Sequence, residues 1–90
     1  MKTRVNLYSN LRSLTDNNGI VEVEGSTVGE CLGDLLKQFP KLATKLLDPE
    51  GNILPQVFIS VNMNSARPEK KDTPLKAGDE LYIVLIVAGG

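Results

Sequence analysis

Leu81 to Gly90 reads LYIVLIVAGG, and its first seven residues, through Val87, are an unbroken apolar run. Taken as a strand, it sets Leu81, Ile83, Leu85 and Val87 in one row and Tyr82, Val84 and Ile86 in the other. A strand that is apolar on both faces belongs in the middle of a sheet, covered from both sides. Ala88, Gly89 and Gly90 then follow with almost no side-chain bulk. The expected organisation is a folded unit at 1–87 and a short flexible tail at 88–90.

The rest of the chain supplies neighbours for such a strand. Val5 and Leu7 alternate with Arg4, Asn6 and Tyr8, and Val21 and Val23 alternate with Glu22 and Glu24, the period of strands with one buried face. TDNNG at Thr15–Gly19 provides turn chemistry between them, so the two form an antiparallel hairpin. At STVGE the period changes. Thr27 is placed to cap a helix with Glu30 answering three residues later, and Val28, Leu32, Leu35, Leu36 and Phe39 fall on one face before Pro40 stops it. Gly29 and Gly33 each cost this helix about 1 kcal/mol of propensity, so it depends on packing against the sheet.

Leu42, Leu46 and Leu47 suggest a short second helical segment, closed by DPEGN at Asp48–Asn52. The acidic residues there match the start of a calcium loop, but the glycine comes too early and Ile59 stands where a bidentate glutamate is needed, so a turn is the better reading. QVFISVN at Gln56–Asn62 is another strand, with Val57, Ile59 and Val61 on one side and Phe58 and Ser60 on the other. Arg67, Lys70, Lys71 and Lys76 are interrupted by Glu69, Asp72 and Asp79, which describes a solvated loop with room for at most a short edge strand. The expected fold is α+β, of the β-grasp kind: a mixed four- to five-stranded sheet packed on one main helix.

Composition limits the function. Ninety residues with 41% hydrophobic content suit one domain, and 10 basic against 11 acidic residues with 4% aromatics give no nucleic-acid footprint. Cys31 is the single cysteine and there is no histidine, so the common zinc, haem and iron-sulfur ligand sets cannot be assembled, nor a Ser-His or Cys-His nucleophile pair. On a helix beside core positions, Cys31 reads as a small buried hydrophobe. No continuous apolar segment marks a signal peptide or membrane span, and the expected setting is the cytoplasm.

The element order resembles the ubiquitin-like β-grasp superfamily, and GDELYIVLIVAGG at Gly78–Gly90 resembles the ending of the MoaD/ThiS-like sulfur carriers, which include the small subunit of molybdopterin synthase and the thiamine sulfur carrier. The long middle segment LLDPEGNILPQVFISVN is similar to the cysteine-biosynthesis branch. Where relatives often carry a proline before the tail, Leu85 and Ile86 stand here, so strand pairing can run closer to it.

The resemblance implies a protein cosubstrate rather than an enzyme. Gly90 would be adenylated by a ubiquitin-activating-like adenylyltransferase, a sulfur donor would convert it to a thiocarboxylate, and a sulfur-accepting biosynthetic enzyme would use that sulfur. The alternative within the resemblance is a ubiquitin-like modifier conjugated through Gly90. No Walker-type loop for ATP occurs in the sequence, so ATP belongs to the partner and no cofactor or metal is expected on this chain. Physically, Ala88, Gly89 and Gly90 reach about 10 Å when extended, and glycine can pass a slot too narrow for a Cβ. Phe58, Tyr82, Val84 and Ile86 share a face if their strands lie in one sheet. That face is either a docking patch for partners or is covered by the Leu42–Leu47 segment or the long loop.

Overall fold

The computed structural model describes residues 2–7, 11, 19–63 and 70–85. Four strands form one sheet: β1 (Lys2–Leu7), β2 (Ile20–Glu24), β3 (Val57–Val61) and β4 (Glu80–Leu85), in the order β2-β1-β4-β3. β1 and β2 are antiparallel, as the hairpin reading requires, and β4 lies between β1, to which it is parallel, and β3, to which it is antiparallel. The strand that reads as central is central. Ile86 and Val87 lie outside the described residues, and β4 is described as far as Leu85, opposite Val57.

Helix α1 (Val28–Gln38) packs over one face of this sheet. Thr27 Oγ1 accepts the Glu30 N–H at 3.1 Å, while Glu30 Oε1 accepts from the Ser26 N–H at 2.8 Å and the Ser26 hydroxyl at 2.9 Å. Glu30 therefore answers one residue earlier than a standard capping box, at Ser26, while Thr27 itself bridges to Pro74. The next two donors of the helix are also satisfied: Val28 donates to Thr73 O at 3.0 Å and Gly29 to Lys71 O at 2.7 Å. Gly29 suits that close approach, because a Cβ there would stand 3.1 Å from the Lys71 carbonyl oxygen and the exposed Lys71 segment would have to give by a few tenths of an ångström.

Pro40 starts a 3-10 turn (Pro40–Leu42) that leads into α2 (Ala43–Leu46), a single turn of helix. At the following bend, Asp48 Oδ1 accepts the Glu50 and Asn52 N–H groups, both at 2.9 Å, so the carboxylate closes a turn.

The core lies between the sheet and the helices. Val5, Leu7, Val21, Val23, Val57, Ile59, Leu81 and Ile83 from the strands meet Val28, Cys31, Leu32 and Leu35 of α1, with Leu42 and Leu46 in the same cluster. Leu11 and Leu75 join from the connecting segments, at 0% and 7% exposure. The segment before β4, read as solvated, is thus anchored by one leucine although Lys70, Lys71, Asp72 and Lys76 are exposed. No helix among the described residues is long and apolar enough to cross a membrane.

Side chains of α1 cover the β2 edge of the sheet. On β2, Glu24 N–H donates to Asp34 Oδ2 at 2.9 Å, and the Glu22 carbonyl accepts from Gln38 Nε2 at 3.0 Å. Asp34 and Gln38, one turn apart on α1 and bonded to each other at 3.1 Å, thereby occupy backbone groups that an edge strand would offer to another chain.

Candidate functional site

Register places the site. Opposite residues in adjacent strands share a face, so the pairs Phe58–Val84, Ser60–Tyr82 and Asn6–Tyr82 put Phe58, Tyr82 and Val84 together on the side of the sheet away from α1. All three are half-buried, and none belongs to the core cluster or to the residues packed against it. The Leu42–Leu47 segment does not cover them. Leu42 and Leu46 enter the core on the opposite face, with Leu47 packed against that core. Ile86, the fourth residue expected on this patch, lies outside the described residues, as do Ala88, Gly89 and Gly90.

The middle of this outer face is more polar than the apolar row suggests. Asn6 is 9% exposed and donates through Nδ2 to Glu80 Oε1 at 3.0 Å and to the Leu81 carbonyl at 3.1 Å. Ser60 is 7% exposed on the other side of Tyr82. The two bonds of Asn6 tie β4 to β1. Sequence reading missed them because short polar residues on an outward row look like surface.

Beyond that row the face becomes charged. Arg4 stands opposite both Glu22 on β2 and Glu80 on β4, with Lys2 and Glu24 one step further. The outer face is thus divided, apolar toward the Leu85 end of β4 and ionic toward its Glu80 end.

That ionic end is held by a turn built on Asn62 and Asp79. Asn62, at φ 56°, accepts the Glu80 N–H on Oδ1 at 2.9 Å and donates its own N–H to the Glu80 carbonyl at 2.8 Å. Its Nδ2 donates to Asp79 Oδ1 at 2.9 Å, and Asp79 Oδ2 accepts the Lys76 N–H at 2.8 Å. The Lys76 N–H, the Asn62 amide and the Lys76 charge hold the Asp79 carboxyl below the usual range. Asp79 thus closes the turn that leads into β4, and Glu80 is the first residue of that strand.

Cys31 is fully buried, and burial pushes its thiol up; Glu30 and Asp34 add to the rise. The neighbouring Thr3 hydroxyl, which has no conventional hydrogen-bond partner among the described residues, lowers it less than burial raises it. The thiol is a core group.

A four-stranded mixed sheet with a parallel central pair and one long helix packed on a single face defines a ubiquitin-like β-grasp domain. Residues 5–90 match the ThiS family, and the chain belongs to it. Among solved structures, the small archaeal modifier protein 1 of Methanosarcina acetivorans is 27% identical, with 99% of this chain and 96% of that one covered and a TM-score of 0.84. CysO of Mycobacterium tuberculosis is 26% identical over 94% of this chain and 99% of its own, with a TM-score of 0.78. A chain of the Amycolatopsis orientalis BexX/CysO complex is 27% identical over 98% and 99%, with a TM-score of 0.81. None of the curated protein sequences matches. The likenesses include the CysO branch, and the protein is a ubiquitin-like sulfur carrier or modifier.

Proposed function

We propose that the protein carries sulfur as a thiocarboxylate on Gly90 and acts as a cosubstrate of partner enzymes in the cytoplasm. The observation that carries this reading is the family match, which runs without interruption from residue 5 to Gly90 and so includes the diglycine. The likeness to CysO at 26% and 27% identity favours the branch that feeds cysteine biosynthesis over the molybdopterin or thiamine branches.

The chemistry is redox-neutral. The α-carboxylate of Gly90, ionised at neutral pH, attacks the α-phosphate of ATP on a ubiquitin-activating-type adenylyltransferase, and pyrophosphate leaves. Hydrosulfide from a sulfur donor then attacks the acyl carbon, and AMP leaves with the electrons of the broken C–O bond. The thiocarboxylate sulfur so formed displaces the leaving group from an electrophilic carbon of the substrate on the accepting enzyme, and water then cleaves the resulting thioester, leaving the sulfur on the product and returning Gly90 as its carboxylate. Phe58, Tyr82, Val84 and Ile86 form the docking patch for these partners, and Ala88 and Gly89 carry the reactive end into their clefts.

The likeness to small archaeal modifier protein 1 supports a second reading, in which the activated Gly90 is transferred to a lysine of another protein. Intact mass separates the two. Incubation with the adenylyltransferase, ATP and sulfide adds about 16 Da for a thiocarboxylate, whereas conjugation adds a whole protein. Extending the chain by one alanine after Gly90, or deleting Gly90, shifts the carboxylate by about 3.5 Å and should abolish the gain of sulfur with docking intact. Sulfur uptake by both variants at the normal rate would remove Gly90 from the mechanism.

A further inference from the structure

A depression at the start of β3 has an apolar floor and a basic rim. Ile53, Leu54, Pro55 and Val57 line it together with Lys70 and Lys71, around a volume of about 360 Å³. The two lysines are the only charged side chains among the described residues that line it, and both are exposed. Lys71 Nζ donates to the Gly51 carbonyl, which holds its ammonium at the rim with further donors to spare. The Lys70 side chain makes no ion pair or hydrogen bond among the described residues. The depression shares no residue with the outer patch of Phe58, Tyr82 and Val84.

We propose that the chain's own last segment, residues 86–90, docks in this depression and sets the Gly90 carboxylate against Lys70 and Lys71. The inference rests on the carrier reading above, in which Gly90 is the free end. Position favours this occupant. Leu85 is paired with Val57, so the segment starts about one strand spacing, ~4.8 Å, from a residue that lines the depression. Five extended residues reach about 17 Å, enough to pass the edge strand β3 and enter. Chemistry favours it as well, because Ile86 and Val87 offer two apolar side chains ahead of a terminal carboxylate, and the depression offers an apolar floor beside two ammonium groups. Gly89 and Gly90 between them allow the chain to bend back toward the rim.

Tethering decides the balance. A segment held this close has an effective concentration in the millimolar range, so contacts too weak to hold a separate peptide can hold this one. Exposed ammonium–carboxylate pairs are weak, so docked and free states coexist and a partner can draw the tail out. The apparent affinity of an adenylyltransferase for Gly90 then falls in proportion to the fraction of chains whose tail is free. Docking of the domain through the outer face and release of the tail are separate events on separate surfaces.

The test reads the tail of the full chain directly. In proton–nitrogen correlation spectra at low salt, the Gly89 and Gly90 amides should stand away from random-coil positions. Lys70→Gln combined with Lys71→Gln should return them to random coil, and so should amidation of Gly90 with both lysines intact, or salt at about 0.5 M. The lysine double variant should also lower the KM for the carrier about two- to threefold in ATP–pyrophosphate exchange with a ubiquitin-activating-type adenylyltransferase. Melting curves confirm that the variants are folded. Random-coil amides in the unsubstituted chain overturn the docking, as do displaced amides that ignore both the lysine variant and the amidation. A KM that does not fall in the double variant overturns the hold of the depression on Gly90, and a KM that rises gives the lysines to the partner instead. Absence of exchange with the unsubstituted chain overturns the carrier reading, while the spectra still decide whether the tail docks.

Discussion

Ile83→Asp and Val84→Asp place the same charge on consecutive residues of β4, pointing to opposite faces, and should have opposite kinds of effect. Ile83 is 0% exposed in the core between sheet and helix. Truncating such a side chain costs about 2–5 kcal/mol, and an unpaired carboxylate in its place adds several more. The total is comparable with the entire stability of a small domain, about 5–15 kcal/mol, so Ile83→Asp should not fold. Val84 is half-buried and outside the core cluster. Full burial of a valine is worth about 1.5–3 kcal/mol, so the partial burial here carries about half of that, and the poor strand propensity of aspartate adds up to about 1 kcal/mol. A loss of about 2 kcal/mol lowers Tm by about 8–16 °C for a domain of this length and leaves it folded. Circular dichroism melts give the stabilities, and ATP–pyrophosphate exchange with the adenylyltransferase gives the docking. Val84→Asp should be folded but a poor substrate. If it unfolds as Ile83→Asp does, the outer face is a second core. If it is folded and exchanges normally, the patch is not where the partner grips.

Two further outcomes follow from the hydrogen bonds. Glu30 is held below its usual range chiefly by the Ser26 N–H and hydroxyl, as Asp79 is by the Lys76 N–H and the Asn62 amide. Carboxyls lowered in the folded state stabilise it above their unfolded pKa, and that contribution disappears as pH falls through the folded value. Tm should therefore be level above about pH 5 and decline below it, with Glu30→Gln and Asp79→Asn starting lower at neutral pH and converging on the parent in acid; parallel curves would contradict the assignment. Replacing Asp34 and Gln38 together by alanine uncovers Glu22 C=O and Glu24 N–H on β2, and sedimentation at high protein concentration should then detect self-association that the parent lacks. A variant that stays monomeric would show that these side chains do not guard the edge.

The central place of β4 was legible because its apolar residues occupy both rows, and α1 because Thr27, Glu30 and a one-sided run of leucines mark its start and its buried face. What escaped notice has a common cause. Leu11 and Leu75 are single apolar residues in polar segments, without the neighbours that make a period, and only the folded chain shows them closing the core. Asn6 looks like any polar residue on an alternating strand until β4 is laid beside it and its amide reaches Glu80 and Leu81. Asp34 and Gln38 have the spacing of a helical pair, but their bonds to β2 depend on how α1 crosses the sheet. The shared face of Phe58, Tyr82 and Val84 was legible in the alternation of the two strands; that the Leu42–Leu47 segment packs on the opposite face was not, since leucines at helical spacing do not say which face of a sheet they meet.

If Gly90 carries sulfur as proposed, the burial of Cys31 bears directly on that chemistry. A free thiolate in the same molecule as an acyl adenylate would compete with hydrosulfide for the acyl carbon, displacing AMP to leave a thioester in place of the thiocarboxylate. Reactivity of this kind requires both access and ionisation, and the fold withholds both from Cys31. The thiol is 0% exposed, enclosed among Thr3, Val28 and the strands of the core, and its burial, with the carboxylates of Glu30 and Asp34 nearby, favours the protonated form. The Gly25 backbone in the β2–α1 connection passes so close to Cys31 that an added Cβ would stand 2.9 Å from the sulfur. A carrier with this arrangement keeps its own sulfur out of the reaction that it serves. Under native conditions a thiol-selective reagent should therefore leave Cys31 unmodified and label only sulfur added at Gly90, while the same reagent in denaturant labels both. Native labelling of the chain before any exposure to the adenylyltransferase would mean that the core opens around Cys31, and the separation between the buried thiol and the carried sulfur would be lost.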